Sequence, residues 1–79
     1  MKVRNQEYLD AFGNNLKALI ASKKKTPEDV AALGHIETKQ VYRAINAERS
    51  LTLSSIVAIA KGLEVPPKKL FDFDFDFKD

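Results

Sequence analysis

Apolar residues recur every three to four positions through most of this 79-residue chain. The clearest stripe consists of Leu9, Phe12, Leu16, Leu19 and Ile20. This spacing places the side chains on one face of an α-helix, with Asn14, Asn15 and Lys17 on the opposite, polar face. Because only three Gly and three Pro interrupt the pattern, the sequence predicts an all-α fold.

Two short helices are expected after the first. Thr26 is a typical N-cap residue, Pro27 suits the first helical position, and Asp29 lies at the capping-box spacing. These signals predict helix two at about 27–33, and helix three is expected at about 37–46. Two short helices joined by three or four residues form a helix-turn-helix.

The sequence after helix three completes a single domain. Thr52 is expected to cap a fourth helix. The predicted buried face of that helix contains Leu53, Ile56, Val57, Ala60 and Leu63. Two prolines then break the chain, and a last helical turn would point Leu70 and Phe71 inward. We therefore expect residues 1–71 to form a compact five-helix bundle.

Residues 72–79 form a short acidic and aromatic tail. In "FDFDFDF" the phenylalanines would share one face of an extended segment and the aspartates the other. A lone strand is not stable, so the tail pairs with another chain, lies on the domain surface or is disordered. Exposed phenylalanines are an aggregation hazard, and we favour the hypothesis that the tail packs on, or pairs with, a second subunit.

The short length limits the stability of a monomer. A chain of this size buries about 60% of its unfolded surface, so we expect a homodimer. The sequence has no cysteine, which excludes disulfides and thiolate zinc sites, and it implies no cofactor. It shows neither a signal-peptide core nor the roughly 20 apolar residues that span a bilayer, so we expect a cytoplasmic protein without membrane contact.

Charge is divided unevenly along the chain. Residues 1–71 contain twelve Lys and Arg against seven Asp and Glu, a net charge of +5. Residues 72–79 contain one Lys against four Asp, a net charge of −3. A basic globular part favours a polyanionic partner such as nucleic acid.

Catalytic and metal-binding patterns are not evident in the sequence. His35, the only histidine, is expected to adopt a left-handed conformation in the turn between helices two and three, not to act as a ligand or base. The serines have no plausible base, and the "DFDFD" run lacks the glycine and glutamate of a calcium loop. We therefore do not expect an enzyme.

Three segments resemble the phage-repressor-like, or Xre/Cro, family of helix-turn-helix transcriptional regulators. They are "FGNNLKALIASKKKTPEDVAAL", "ETKQVYRAINAERSLTL" and "IVAIAKGLEVPPKKLF", at the family's usual spacings over about residues 12–71. The resemblance implies a five-helix, usually dimeric domain that lays its third helix in the major groove. It thus implies a sequence-specific regulator of transcription, with repressor as the expected type, that binds double-stranded DNA as a homodimer.

The resemblance assigns two sets of DNA contacts. The residues expected to read base edges are Thr38, Lys39, Tyr42 and Arg43. The residues expected to contact the DNA backbone are Thr26, Asn46, Arg49, Ser50 and Lys24. Gln40 lies closer to the flank of helix three and is a weaker candidate.

The chain departs from the family pattern at several positions. Pro27 stands where the family usually has a glutamine that holds a DNA phosphate. Ile20 stands where it often has an arginine, and Ile45 where it often has a glutamate. The arginine and glutamate form an ion pair in relatives that have both, so we expect the two isoleucines to touch. Lys25 replaces an aliphatic residue. Ala47 replaces the glycine that commonly ends helix three, at a cost of about 1 kcal/mol if its backbone is left-handed.

Two other functions are compatible with the sequence. An antitoxin would repress its own operon and bind a toxin protein, with the tail as the binding strand. A protein-interaction domain would have kept the fold and lost DNA binding, as the changes at Ile20, Pro27 and Ile45 suggest. Steep salt dependence would distinguish DNA binding from an apolar protein contact.

Overall fold

The computed structural model describes residues 5–48 and 51–76. The α-helices in those ranges are α1 (Gln6–Ser22), α2 (Pro27–Gly34), α3 (Thr38–Ile45) and α4 (Leu53–Leu63), and a 3₁₀ helix spans Pro67–Phe71. The described part of the chain contains no strand, so the all-α prediction is confirmed. None of its helices is both long and apolar enough to cross a membrane.

Within residues 5–48 and 51–76, the predicted five-helix bundle is corrected to four α-helices and one 3₁₀ helix. Pro66 is extended and Pro67 lacks a backbone N–H, so the last segment forms only a five-residue 3₁₀ helix. Within it Leu70 is fully buried. Asn15 Nδ2 donates to the carbonyl oxygens of Lys69 and Leu70 at 3.2 and 3.0 Å. Asn15 is therefore a structural residue, and its assignment to the polar face of α1 was wrong.

Local hydrogen bonds define the start of α2 as the sequence predicts. The Asp29 N–H donates to the Thr26 hydroxyl oxygen at 3.2 Å, and the Thr26 N–H donates to the Asp29 carboxylate at 2.9 Å. Pro27 occupies the first turn. The helix ends at His35, whose φ of 58° is left-handed, so the prediction for this turn residue is confirmed.

The hydrophobic core is formed by all four α-helices and the 3₁₀ helix. Its largest fully buried side chains are Leu16, Ile59, Leu63, Leu70, Val30 and Val41. The predicted buried face of α4 was wrong at Leu53 and Val57, whose exposed fractions are 76% and 47%. Ile59 is fully buried instead. Most positions of α4 are apolar, so its sequence does not define one buried face.

Two glycines allow close contact between helices. A Cβ atom at Gly13 would collide with the Ile45 carbonyl oxygen. A Cβ atom at Gly62 would collide with the Val30 carbonyl oxygen. These positions bring α3 against α1 and α4 against α2, which fixes the helix-turn-helix on the rest of the domain.

The end of α3 keeps the left-handed geometry at Ala47, which has a φ of 56°. The Glu48 N–H donates to the Arg43 carbonyl oxygen at 3.0 Å. Gln6 Nε2 donates to the Ala47 carbonyl oxygen at 3.1 Å and so ties this turn to the start of α1. Alanine therefore bears a backbone strain of about 1 kcal/mol that glycine would avoid.

Residues 72–76 lie along α1 of the same chain. The ring centroid of Tyr8 is 5.2 Å from that of Phe73 and 4.8 Å from that of Phe75. The aspartates that alternate with these phenylalanines, Asp72, Asp74 and Asp76, are exposed. Of the three alternatives for the tail, packing on the surface of its own domain is the one these residues adopt, with Tyr8 as the apolar partner. Packing on a second subunit stays a prediction. The remaining tail, 77–79, lies outside the described residues.

Candidate nucleic-acid interface

The turn at His35 holds α2 and α3 together as a helix-turn-helix. The Ile36 N–H donates to the Ala31 carbonyl oxygen at 3.1 Å, which closes the turn. Val30 of α2 and Val41 of α3 are both fully buried. The second helix of the pair is therefore supported from behind by the core.

One face of α3 is buried and the other faces outward. Val41 and Ala44 form the buried face. On the other face, the residues expected to read bases comprise two exposed side chains, Lys39 and Tyr42, and two half-buried ones, Thr38 and Arg43. The structure thus brings all four predicted residues onto one surface of one helix, and two of them are cationic.

Tyr42 is hydrogen-bonded to the preceding helix. Its hydroxyl donates to Glu28 Oε2 at 2.8 Å. This hydrogen bond raises the pKa of Tyr42, and desolvation and the negative charge of Glu28 act in the same direction. Tyr42 as a whole residue stays 41% exposed. A base contact through this hydroxyl would require it to exchange its partner.

Gln40 is directed towards α4. The Ser55 hydroxyl donates to Gln40 Oε1 at 3.1 Å, and the Thr52 hydroxyl donates to Ser55 Oγ at 3.0 Å. Gln40 is half-buried. These contacts give Gln40 a role in joining α3 to the start of α4.

The residues expected to contact the DNA backbone are placed less uniformly. Thr26 is exposed, although its hydroxyl and N–H both belong to the α2 cap. Lys24 is exposed and left-handed, with a φ of 56°. Asn46 is the C-cap of α3 and is exposed. Arg49 and Ser50 lie outside the described residues.

A pocket of about 340 Å³ lies between α1, the start of α2 and the end of α3. Its apolar lining residues are Ile20, Ala21, Pro27 and Ile45, and its polar ones are Lys17, Lys25, Tyr42 and Asn46. The two isoleucines that were expected to touch both belong to this lining. The sequence predicted neither the pocket nor the place of Lys17 in its lining, because the cavity depends on how three helices meet.

Lys25 is accommodated by an ion pair. Its Nζ lies 3.3 Å from Glu64 Oε1. Glu64 follows α4 in a left-handed conformation, with a φ of 61°. Since the Glu64 side chain is 70% exposed, water weakens the pair, which contributes little to stability. The pair nevertheless gives the amine a partner at a position where the family pattern is aliphatic.

The described residues provide no metal centre. Across both described ranges, no three His, Asp or Glu side chains converge closely enough to hold a metal ion. His35 is exposed, and its conformation serves the turn between α2 and α3.

Comparisons with known proteins relate most of this chain to a family of helix-turn-helix DNA-binding domains. Residues 15–76 match the family model of the Cro/C1-type HTH DNA-binding domain. The restriction-modification controller protein C.AhdI from Aeromonas hydrophila has a TM-score of 0.75 and 28% identity, over 80% of this chain and 96% of its own. The wild-type restriction-modification controller protein C.Esp1396I has a TM-score of 0.76 and 26% identity. The match covers 86% of this chain and 90% of that protein. No curated protein sequence matches.

Proposed function

The chain belongs to the Cro/C1-type helix-turn-helix family and is a DNA-binding transcriptional regulator; we propose that it places α3 in the major groove of a specific operator. The observation that carries this proposal is the outward face of α3. Lys39 and Arg43 are on that face, whereas Val41 packs behind it. Such a helix presents side chains to base edges while the core fixes its orientation.

The proposed roles follow from side-chain chemistry. Lys39 and Arg43 donate to guanine O6 and N7, and Thr38 contacts a base edge through its hydroxyl or its methyl group. Tyr42 contributes when its hydroxyl leaves Glu28. The residues proposed to hold phosphates and so fix the register are Thr26, Lys24, Asn46, Arg49 and Ser50.

We also propose that the protein acts as a homodimer. The support is that a chain of only 79 residues exposes the large apolar side chains Leu33, Leu53 and Val57. Two recognition helices about 34 Å apart would read half-sites one helical turn apart. Sedimentation equilibrium should show a dimer at micromolar concentration, and a monomer at all concentrations would contradict this part of the proposal.

The regulated genes are proposed to belong to a restriction-modification system, with repression as the outcome. The support is the likeness to two restriction-modification controller proteins. A reporter gene placed behind the selected operator should be expressed less when the protein is present. Increased expression would show activation and would overturn the assignment as a repressor.

The DNA-binding proposal is tested by selecting duplexes from a random pool and measuring affinity by fluorescence anisotropy. Arg43→Ala should weaken binding to the selected duplex by about 10- to 100-fold, because one base contact is lost. Lys68→Ala is the matched control, since Lys68 is an exposed lysine on the 3₁₀ helix. Failure to enrich any sequence, or equal effects of the two variants, would contradict the proposal.

A second candidate is a protein-interaction domain that has lost DNA binding. It is favoured by the apolar residues Ile20, Pro27 and Ile45, which line one pocket where the family pattern is polar. Salt distinguishes the two candidates, because binding through several phosphates falls steeply with salt concentration whereas an apolar contact does not. The comparisons give no support to a toxin as partner.

A further inference from the structure

We propose that the pocket between α1, α2 and α3 binds a small organic anion with a flat apolar body, such as an aromatic carboxylate. Binding in this pocket would exclude DNA from the neighbouring face of α3. The first part stands on the pocket itself, and the second rests on the DNA-binding function proposed above.

The apolar floor of the pocket is the first argument. Ile20, Pro27 and Ile45 line it together. Each stands where the resemblance to the Xre/Cro family implies a polar residue, yet they come from three different helices. Ile45 and Pro27 are half-buried, and Ile45 packs against the core on one side while it lines the pocket on the other. Their convergence creates a continuous apolar surface suited to a ring.

The size of the pocket is the second argument. Its volume of about 340 Å³ falls in the range of roughly 300–1,000 Å³ that is typical of small-molecule sites. Such sites are mostly apolar and carry a few polar groups that fix the orientation of the ligand. This pocket is small and accommodates one or two fused rings, not a peptide.

The charge at the pocket is the third argument. Lys17 and Lys25 both line it. Lys25 is paired with Glu64 at 3.3 Å, whereas Lys17 has no ion-pair partner among the described residues. An anionic group bound beside the Lys17 amine would form a charge-assisted hydrogen bond. The geometry therefore matches an apolar body with an acidic end.

Competition with DNA follows from shared residues. Tyr42 and Asn46 line the pocket and also belong to the proposed DNA-binding face. A ligand in the pocket would occupy space that the duplex backbone approaches. Because the coupling of two binding equilibria is reciprocal, DNA would weaken ligand binding by the same factor.

Ligand binding is tested first on the full chain without DNA. Labelled protein is titrated with 2-naphthoate, with neutral 2-naphthamide and inorganic phosphate as comparison probes. We expect saturable shifts at Ala21, Tyr42, Ile45 and Asn46, with a dissociation constant on the order of 1 mM or tighter for 2-naphthoate. Equal binding of the amide, binding of phosphate alone, or shifts elsewhere would overturn the proposal.

Two pairs of variants locate the site. Ala21→Leu should fill the pocket and abolish binding, whereas Ala18→Leu, one turn away and outside the lining, should not. Both alanines are exposed on α1, so both variants should fold. Lys17→Gln should weaken 2-naphthoate binding about tenfold, and Lys23→Gln should leave it unchanged. Equal effects within either pair would contradict the assigned site.

Measuring DNA affinity with and without 2-naphthoate distinguishes a failure of this inference from a failure of the proposed function. With 2-naphthoate at ten times its dissociation constant, the apparent affinity for a short DNA duplex should fall about tenfold. Ala21→Leu should bind DNA without this response. If the unmodified protein binds DNA and 2-naphthoate does not weaken that binding, the proposed competition between ligand and DNA is overturned. If the unliganded protein does not bind DNA at all, the proposed function is overturned.

Discussion

At the scale of single residues, left-handed backbone conformations decide where the helices end. His35 and Ala47, with φ of 58° and 56°, follow α2 and α3. Neither is glycine, so each costs free energy that the surrounding contacts offset. The turn at His35 sets the direction in which α3 follows α2, and the turn at Ala47 marks where the outward face of α3 ends. Both strained positions therefore affect the orientation of the proposed DNA contacts.

Replacing His35 with glycine should stabilise the protein. Glycine adopts the left-handed conformation without steric cost, and the exposed imidazole makes no buried contact. The free energy of unfolding from urea denaturation should rise by about 0.5–1 kcal/mol. His35→Val should lower it, because β-branched residues disfavour positive φ. Destabilisation by the glycine variant would show that the side chain has an unrecognised role.

The cap of α2 makes stability depend on pH. Hydrogen bonds from the Thr26 backbone and hydroxyl, with a smaller effect of Lys25, lower the pKa of Asp29 in the folded protein. The stabilisation is therefore fully present above the pKa of the unfolded chain, about 4, and is lost as pH falls through the lower folded-state value. Asp29→Asn should be less stable near neutral pH and should lose less stability below pH 4. If the stability of the unmodified protein and of Asp29→Asn fell in parallel as pH is lowered, this role of Asp29 would be contradicted.

At the scale of elements, helix crossings depend on residues that lack a side chain. A Cβ atom at Gly62 would collide with the Val30 carbonyl oxygen, and one at Gly34 with the Ala58 carbonyl oxygen. The backbones of α2 and α4 therefore approach closely at two points. This contact supports α2 from behind, and α2 in turn supports α3. A change in the crossing would therefore move the helix proposed to read DNA.

Gly62→Ala should destabilise the fold. Alanine gains about 1 kcal/mol in helix propensity, but its Cβ collides with a backbone carbonyl oxygen that cannot move without shifting α2. We expect a net loss of about 2 kcal/mol in the free energy of unfolding. Lys61→Ala, at the exposed neighbouring position of α4, should change it by less than about 0.5 kcal/mol. Equal effects would contradict the close contact.

The aromatic contacts of the tail should stabilise the monomeric fold. A double-mutant cycle on Tyr8 and Phe73, with each changed to alanine, should give a coupling energy of about 0.5–1.5 kcal/mol in thermal or urea unfolding. The two substitutions should not be additive, because their rings lie 5.2 Å apart between centroids. Additive effects, or a coupling that depends on protein concentration, would favour packing on a second subunit.

Sequence predicted those features that depend on near neighbours in the chain. The start of α2 was predictable because Thr26 and Asp29 lie three residues apart and satisfy each other. The partner of the tail was not, because Tyr8 and Phe73 are separated by most of the chain. The resemblance to the Xre/Cro family assigned Lys39 and Arg43 to the DNA-facing side of α3, but the pocket beside them depends on the packing of three helices.

At the scale of the whole molecule, charge and surface shape point to a polyanionic partner. Residues 1–71 carry a net charge of +5, while the acidic tail residues Asp72, Asp74 and Asp76 are exposed alongside the aromatic contacts on α1. Arg43 and Lys39 concentrate positive charge on α3. This arrangement supports attraction of DNA to the helix-turn-helix, which salt would screen.

The most direct test of the DNA-binding account is an amide chemical-shift titration of the labelled protein with a short duplex of mixed sequence, at low and at moderate salt. We predict that shifts concentrate at Thr26 and at residues 38–46, and that they weaken as salt rises because phosphate contacts release counterions. Shifts that spare α3, or that do not respond to salt, would contradict the claim that this surface binds DNA.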